Sequence, residues 1–236
     1  MKDNMIGTVV QVRRYPVKSL LGEQITSAEV DARGLVGDRL WAVREPDGRL
    51  GSGKTTRRFR RMDGLLELAA RSENGLPVVE FSDSSVLRAD DEQVHEALSR
   101  HVGRPVTLAR EDAVSHLDEG PVHLVTSATL HRLGEVHGTP VDVRRLRANL
   151  LVETPGLEGF AEDGWVGRDM TIGPHVVLRV RAPMPRCVMV GMAHSDLPDD
   201  RGLLSTVTTA NAMAVGVVLD VVSGGTVTVG DVVNVG

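Results

Sequence analysis

The chain has 236 residues, 41% hydrophobic and 25% charged, which fits an ordinary globular protein and excludes a disordered, collagen-like or coiled-coil chain. Its 27 lysines and arginines against 32 aspartates and glutamates give a net charge of −5, so we expect no general affinity for nucleic acid or anionic membranes. The single cysteine, Cys187, excludes an internal disulfide, a cysteine-based zinc ribbon and a cysteine-ligated iron–sulfur cluster.

The sequence favours a cytoplasmic location. The N-terminus lacks the basic stretch and apolar run of a signal peptide, and no uncharged apolar run is long enough for a membrane span. One free thiol also fits a reducing compartment.

Alternating β-branched segments predict strands in the first part of the chain. These strands are expected at residues 6–12, 25–30, 40–43 and 77–81, whereas residues 65–70 fit either a strand or a helix. A helix is expected to begin near Asp90 and to end at Gly103, because apolar residues recur every four positions between them.

The second part of the chain predicts a strand, a helix and a terminal hairpin. Residues 122–125 read as a strand and residues 126–133 as a helix that ends at Gly134. Residues 215–222 and 226–229 are both typical of strands, and the glycine pair between them predicts a hairpin turn.

Residues 48–55, GRLGSGKT, match the spacing of a phosphate-binding loop. Two features disfavour that interpretation. Residues 45–47 separate the preceding strand from the first glycine, and the helix expected after Thr55 would open with basic residues, which are unfavourable at a helix N-terminus. We therefore interpret the segment as a glycine-rich turn with a basic edge.

Cys187 is the best candidate for chemistry. Pro183 and Pro185 hold the backbone extended before it, and the neighbouring Arg186 is expected to favour the thiolate. A buried structural thiol is the alternative. The eight histidines lack metal-ligand spacing, so we assign none of them to a metal.

Six short segments, taken in chain order, resemble the MOSC family, named for the C-terminal domain of molybdenum-cofactor sulfurases. The likeness is strongest to two-part members with an N-terminal β-barrel domain, a group that includes the mitochondrial amidoxime-reducing component and bacterial reductases of N-hydroxylated compounds. The segments are residues 15–19 (YPVKS), 37–41 (GDRLW), 147–152 (RANLLV), 162–173 (EDGWVGRDMTIG), 186–187 (RC) and 224–231 (GGTVTVGD).

The resemblance implies a molybdenum cofactor, in which a pterin dithiolene holds the metal and Cys187, as the catalytic residue, supplies a further thiolate ligand. A soft thiolate suits such a metal. Residues at positions that match the cofactor-holding residues of the family are Lys18, Ser19, Arg39, Arg147 and Asn149, with Arg186 beside the metal ligand. Thr126 and Ser127, at a predicted helix start, are expected to add donors to the cofactor phosphate.

Two departures from the family pattern affect what the resemblance implies. Ala148 stands where many members have the proline of Arg-Pro-Asn, and residues 188–202 replace the usual Asp-Pro-x-Thr-Gly stretch. Residues 188–202 would border the substrate side of the metal. This departure therefore bears most directly on the identity of the substrate. Some bacterial relatives carry a C-terminal iron–sulfur domain; we expect this chain to lack one and to receive electrons from a separate protein.

Three function classes remain open. The first is an oxidoreductase that reduces N-hydroxylated or N-oxygenated small molecules. The second is a sulfur carrier, in which Cys187 accepts sulfane sulfur from a pyridoxal-phosphate-dependent desulfurase for the assembly of a metal–sulfur centre. The third is a binding module without turnover. Lys18 and Arg39 favour the first class, because a simple carrier needs no second wall of phosphate-binding residues.

The expected fold is mainly β (α+β) with a few helices. An N-terminal MOSC β-barrel domain is predicted over residues 1–110 and a MOSC β-barrel domain over residues 111–236, with the site in the cleft between them.

Overall fold

The structure, a computed structural model, describes residues 5–194 and 196–236 as a mainly β protein, as the sequence predicts. Between residues 5 and 110 the one α-helix is α1 (Gln93–Val102), and a 3-10 turn, Leu65–Glu67, precedes the ninth strand. The strands of this part are β1 (Met5–Arg14), β2 (Val17–Lys18), β3 (Glu23–Ile25), β4 (Ser27–Asp31), β5 (Gly34–Leu35), β6 (Trp41–Arg44), β7 (Leu50–Ser52), β8 (Phe59–Arg61), β9 (Ala69–Glu73), β10 (Leu76–Glu80), β11 (Val86–Arg88) and β12 (Thr107–Arg110).

The remaining elements include two helices, α2 (Ser127–His137) and α3 (Arg201–Asn211). Their strands are β13 (Val122–Thr126), β14 (Leu150–Glu153), β15 (Asp169–Ile172), β16 (Val176–Pro185), β17 (Ala214–Ser223), β18 (Gly225–Thr228) and β19 (Val232–Val235). Within the described ranges, none of the helices is long and apolar enough to cross a membrane.

Seven strands close into a barrel in the order β14-β13-β17-β16-β15-β19-β1, with β1 pairing back onto β14. β13 and β14 are parallel while the other neighbours are antiparallel, and α2 provides the crossover that a parallel pair requires. The core is aliphatic, with Leu124, Leu150, Met170, Leu178 and Leu219 fully enclosed.

Strands β2 and β6 to β12, together with α1, form a second core of their own. A five-stranded sheet contains β12, β6, β7 and β8, with β2 paired to β6, and a three-stranded sheet contains β9 to β11. Leu98 of α1 packs with Val43, Leu68, Val79 and Leu108 in this core.

The strand pairing crosses the predicted boundary at residue 110. β1 belongs to the barrel, and β18 pairs with β4, so Ala28 and Val30 lie in the barrel core. The division into residues 1–110 and 111–236 stays a prediction. The chain therefore leaves the barrel at Tyr15, directly before the predicted site residues Lys18 and Ser19.

Two local predictions are wrong. β17 and β18 do not form a hairpin: β17 pairs with β13 and β16, and β18 pairs with β4. Gly224 allows this crossing between sheets, since a Cβ there would lie 2.3 Å from the Val30 carbonyl oxygen. The helix after β13 continues through Gly134 to His137 and ends at Gly138, whose φ of 84° suits glycine.

Shortening a buried side chain of the barrel core should destabilise the protein. We expect Leu178→Ala to lower the free energy of unfolding by about 2–5 kcal/mol, because its side chain is fully buried and the substitution leaves a cavity. The matched control Val222→Ala, at a 58% exposed position of β17, should cost less than about 1 kcal/mol. Denaturant unfolding measures both, and equal losses would contradict this packing.

Candidate functional site

A cleft between the N-terminal sheets and the barrel gathers residues from both parts of the chain. Six cationic and two acidic side chains line it, together with an apolar wall. The lining residues are Lys18, Ser19, Arg39, Ser52, Lys54, Asp118, Glu119, Arg145, Leu146, Arg147, Met184, Pro185, Arg186, Cys187, Met189 and Val190.

Cys187 lies just beyond the end of β16, at the start of a 3-10 turn. Its thiol is free and partly exposed to the cleft. No cluster of three or more histidine, cysteine or acidic side chains suitable for a metal exists among the residues that the structure describes. A metal ion at Cys187 would therefore need most of its ligands from a bound organic group.

Tyr15 connects the two cationic walls of the cleft. The guanidinium carbons of Arg39 and Arg147 lie 4.7 and 4.4 Å from the centroid of its buried ring. The phenol hydroxyl donates to the Ala148 carbonyl at 3.5 Å. Two like charges thus share one aromatic surface, which offsets part of their repulsion through cation–π attraction.

Arg39 is held by partners from both sides of the cleft. It pairs with the buried carboxylate of Asp38, whose other oxygen accepts from the Tyr15 backbone N–H at 2.8 Å. Its Nη2 donates to the Arg147 carbonyl at 2.9 Å. The side chain of Arg39 is therefore held both by Asp38 and by the backbone of Arg147.

The backbone is strained at three of the predicted site residues. Ser19, Arg39 and Arg147 have φ of 66°, 50° and 52°, in the left-handed region that L-residues rarely adopt. They are three of the seven such non-glycine residues across residues 5–194 and 196–236. Each costs about 1–3 kcal/mol, and strain of this kind clusters at functional sites.

Lys18 also lines this cleft and is almost completely buried; it lies on β2, which pairs with β6 just after Arg39. Its ammonium donates to the His116 carbonyl at 2.9 Å and to Asp118 Oδ1 at 2.7 Å. Burial lowers the pKa of Lys18 to about 8, although the Asp118 carboxylate opposes that shift. The lysine is therefore still mostly protonated at neutral pH and loses its charge under mildly alkaline conditions.

Arg186 points its guanidinium into the protein. Its Nε donates to the Val215 carbonyl at 3.0 Å and its Nη1 to the Leu146 carbonyl at 2.8 Å, while its Nη2 contacts His123 Nε2. Burial, followed by the charge of Arg186, holds the pKa of His123 well below its usual value. His123 is therefore neutral and accepts the hydrogen bond. The effect of Arg186 on the Cys187 thiol stays a prediction.

Three predicted site residues lie outside the lining of the cleft. Asn149 is buried and joins strands, since its Oδ1 accepts from the His123 N–H and its Nδ2 donates to the Arg13 carbonyl. Thr126 caps α2 and donates to Glu162. Ser127 lines a separate surface depression beside Glu153. Their roles toward the cofactor stay predictions.

The local sequence does not mark Arg145 or Asp118 as residues of the cleft. Arg145 is buried and donates to the carbonyls of Met192 and Pro198, so it fixes the segment that follows Cys187. Asp118 lies in an irregular charged linker. Lys54 belongs to the sequence that resembles a phosphate-binding loop. That segment is not a turn throughout, since Leu50–Ser52 form β7, and no helix follows Thr55, so it lacks the loop-to-helix context of such a loop.

The cleft fits an anionic group. The buried Nη2 of Arg147 has no hydrogen-bond partner among the described residues, although its Nη1 donates to the Leu20 carbonyl at 2.7 Å. An unpaired buried donor is costly, and a bound anion would satisfy it. With six cations against two acids in the lining, the residues match a polar group that carries a phosphate.

Comparison with protein families finds two matching family models. The MOSC N-terminal β-barrel domain matches residues 6–117, and the MOSC domain matches residues 98–234. A comparison with functionally curated proteins found no match.

Solved structures with similar folds include the YuaD protein from Bacillus subtilis. It is 15% identical with a TM-score of 0.51, over 98% of this chain and 93% of that protein. YiiM from Geobacillus stearothermophilus matches at 16% identity and a TM-score of 0.37, over 49% of this chain and 54% of its own. A hypothetical protein matches at 12% identity and a TM-score of 0.45, over 98% of this chain and 68% of its own.

Anion binding in the cleft should weaken at mildly alkaline pH. We expect the affinity of the cofactor-free protein for sulfate to fall as the pH rises through about 8, because Lys18 then loses its proton. Sulfate itself does not titrate in this range, and calorimetry from pH 7 to 9 measures the change. Lys18→Arg, which keeps its charge, should remove most of the pH dependence. An equally steep decline in that variant would assign the titration to another group.

Proposed function

Because this chain belongs to the MOSC family and carries both the N-terminal β-barrel domain and the MOSC domain, we propose that it is a molybdenum-cofactor-dependent oxidoreductase that reduces N-hydroxylated or N-oxygenated small molecules. The family is associated with molybdenum cofactor binding and with sulfur-related roles. One observation carries the proposal: Cys187 opens into the same cleft as Lys18, Ser19, Arg39 and Arg147.

The residues of the cleft comprise one metal-ligating side chain and a set of anion-binding groups. Cys187 would hold the metal through its thiolate, and the extended backbone before it presents the sulfur to the cleft. Arg147 Nη2 supplies a free donor for a phosphate oxygen, and Lys18 supplies a second positive charge in the same cleft. Ser19 lines the cleft beside Lys18, and its hydroxyl donates to the Gly51 carbonyl.

The chain also holds these groups rigid before any ligand binds. Tyr15 and Asp38 fix Arg39, and the carbonyls of Leu146 and Val215 fix Arg186. Such preorganisation reduces the ordering cost of binding. When bound, the cofactor supplies two-electron oxygen-atom transfer, while the protein supplies binding, orientation and electrostatic tuning.

The sulfur-carrier function is the second candidate, and the partly exposed thiol of Cys187 favours it. A persulfide needs an accessible cysteine and a desulfurase that donates sulfur. It does not need the cations that line the cleft from both parts of the chain. We therefore place the oxidoreductase first, in the cytoplasm, with a small-molecule substrate and a separate electron-donor protein as its partners.

Replacement of the thiol separates the candidates. We expect the purified protein, made in a host that synthesises the cofactor, to contain about one molybdenum and one pterin per chain, and Cys187→Ser to lose the metal and the reduction of N-hydroxylated substrates. The fold should persist, because Cys187 is partly exposed and makes no disulfide. Elemental analysis, pterin fluorescence and thermal unfolding provide the readouts.

Two results would contradict the oxidoreductase. A protein without molybdenum, but with cyanide-labile sulfur that disappears in Cys187→Ser, would establish the sulfur carrier instead. Full turnover by Cys187→Ser with its metal retained would remove Cys187 from the metal site.

A further inference from the structure

Lys54 occupies a fixed position in the cleft, next to the segment that follows Cys187. The N–H of the preceding Gly53 donates to the sulfur of Met189 at 3.1 Å. A Cβ on Gly53 would lie 2.7 Å from the Met189 sulfur and 2.5 Å from that of Met192, so both methionine side chains would have to shift to admit a larger residue. The loop that carries Lys54 is thereby seated against residues two and five positions beyond the thiol.

Lys54 differs from the other cations of the cleft in lacking an acceptor. Lys18, Arg39, Arg145, Arg147 and Arg186 each donate to at least one carbonyl or carboxylate oxygen. Over residues 5–194 and 196–236, Lys54 has neither a hydrogen bond nor an ion pair, and its ammonium lies 5.4 Å from the centroid of the Phe59 ring. Its charge is therefore available to a ligand.

One part of the cleft lining is apolar and adaptable. Met184, Met189 and Val190 line the cleft there, and Arg145 fixes the chain behind them by donating to the Met192 and Pro198 carbonyls. Unbranched, polarisable methionine side chains fit apolar groups of varied shape. The lining of the cleft thus combines a free thiol, a thioether wall and an ammonium without a hydrogen-bonded partner among the described residues.

We propose that Lys54 binds an anionic group of the substrate, so that the preferred substrates combine an N-hydroxylated group, an apolar body and a carboxylate. This inference rests on the proposed function for the N-hydroxylated end alone. The apolar body contacts the methionine wall, and the carboxylate pairs with the Lys54 ammonium.

A matched pair of probes tests the proposal on the molybdenum-loaded protein. Benzamidoxime with a para-carboxylate and benzamidoxime with a para-carboxamide differ in charge but hardly in shape. We expect kcat/KM to favour the carboxylate, and Lys54→Gln to reduce this preference at least about fivefold, through KM, because an ion pair is lost.

Two control variants bracket the result. Lys54→Arg should keep the preference because it keeps the charge. Arg57→Gln removes a charge three residues later, at an exposed position outside the cleft lining, and should leave the preference as it is in the unmodified protein. Molybdenum content should be the same in all of these proteins.

Calorimetric binding of the two probes supplies a readout that does not depend on turnover. The Kd ratio should follow the same pattern. Equal Kd values for the two probes in the unmodified protein, an equal loss for both in Lys54→Gln, or a loss of molybdenum in that variant would each overturn the role of Lys54. Failure to reduce either probe, with molybdenum present and the Kd pattern intact, would overturn the proposed function and keep Lys54 as the anion anchor.

Discussion

The stacking of Arg39 and Arg147 on the ring of Tyr15 is the interaction on which the candidate site depends. It places two guanidinium groups within 4.7 Å of one buried aromatic centroid, at the point where the chain leaves the barrel. Neither arginine reaches this position with ordinary backbone geometry, since both have positive φ. The barrel and the N-terminal sheets therefore support a strained, charge-rich arrangement that neither element requires for its own packing.

The path of the chain explains why these residues meet. β1 completes the barrel and ends at Arg14, so Tyr15 lies on its rim, while Lys18 and Ser19 continue directly into the N-terminal sheets. Cys187 follows the end of β16, in the other part of the chain, and lines the same cleft. Residues separated by more than 160 positions thus line one cleft. A ligand bound there would contact both parts of the chain.

Local patterns predict the elements of this protein better than their pairing. β-branched alternation and a glycine stop identify β1, β10 and α1, because these signals act within a few residues. The predicted terminal hairpin is wrong, although β17 and β18 have the sequence pattern of hairpin strands. Both strands pair instead with strands distant in sequence; β18, for example, pairs with β4. Gly134 looks like a helix end, but the helix continues to Gly138, where the backbone turns left-handed.

Sequence motifs likewise predict some residues of the candidate site but not others. The resemblance to the family predicts Cys187, Lys18, Arg39 and Arg147, because each of these residues belongs to a short family motif. Arg145 and Asp118 have no such motif, and only the folded chain brings them to the cleft. Lys54 belongs to a short segment whose sequence matches a phosphate-binding loop. Its place in the cleft depends on the contact between Gly53 and Met189, which are 136 residues apart, so no local pattern could predict it.

A crystal structure of the cofactor-loaded protein would test the central claim most directly. The account predicts molybdenum bonded to the Cys187 sulfur, and a phosphate oxygen of the cofactor within hydrogen-bond distance of Arg147 Nη2, with Tyr15 still beneath both arginines. A cofactor bound elsewhere, or one in this cleft that leaves Arg147 Nη2 unpaired and Cys187 free of metal, would contradict it.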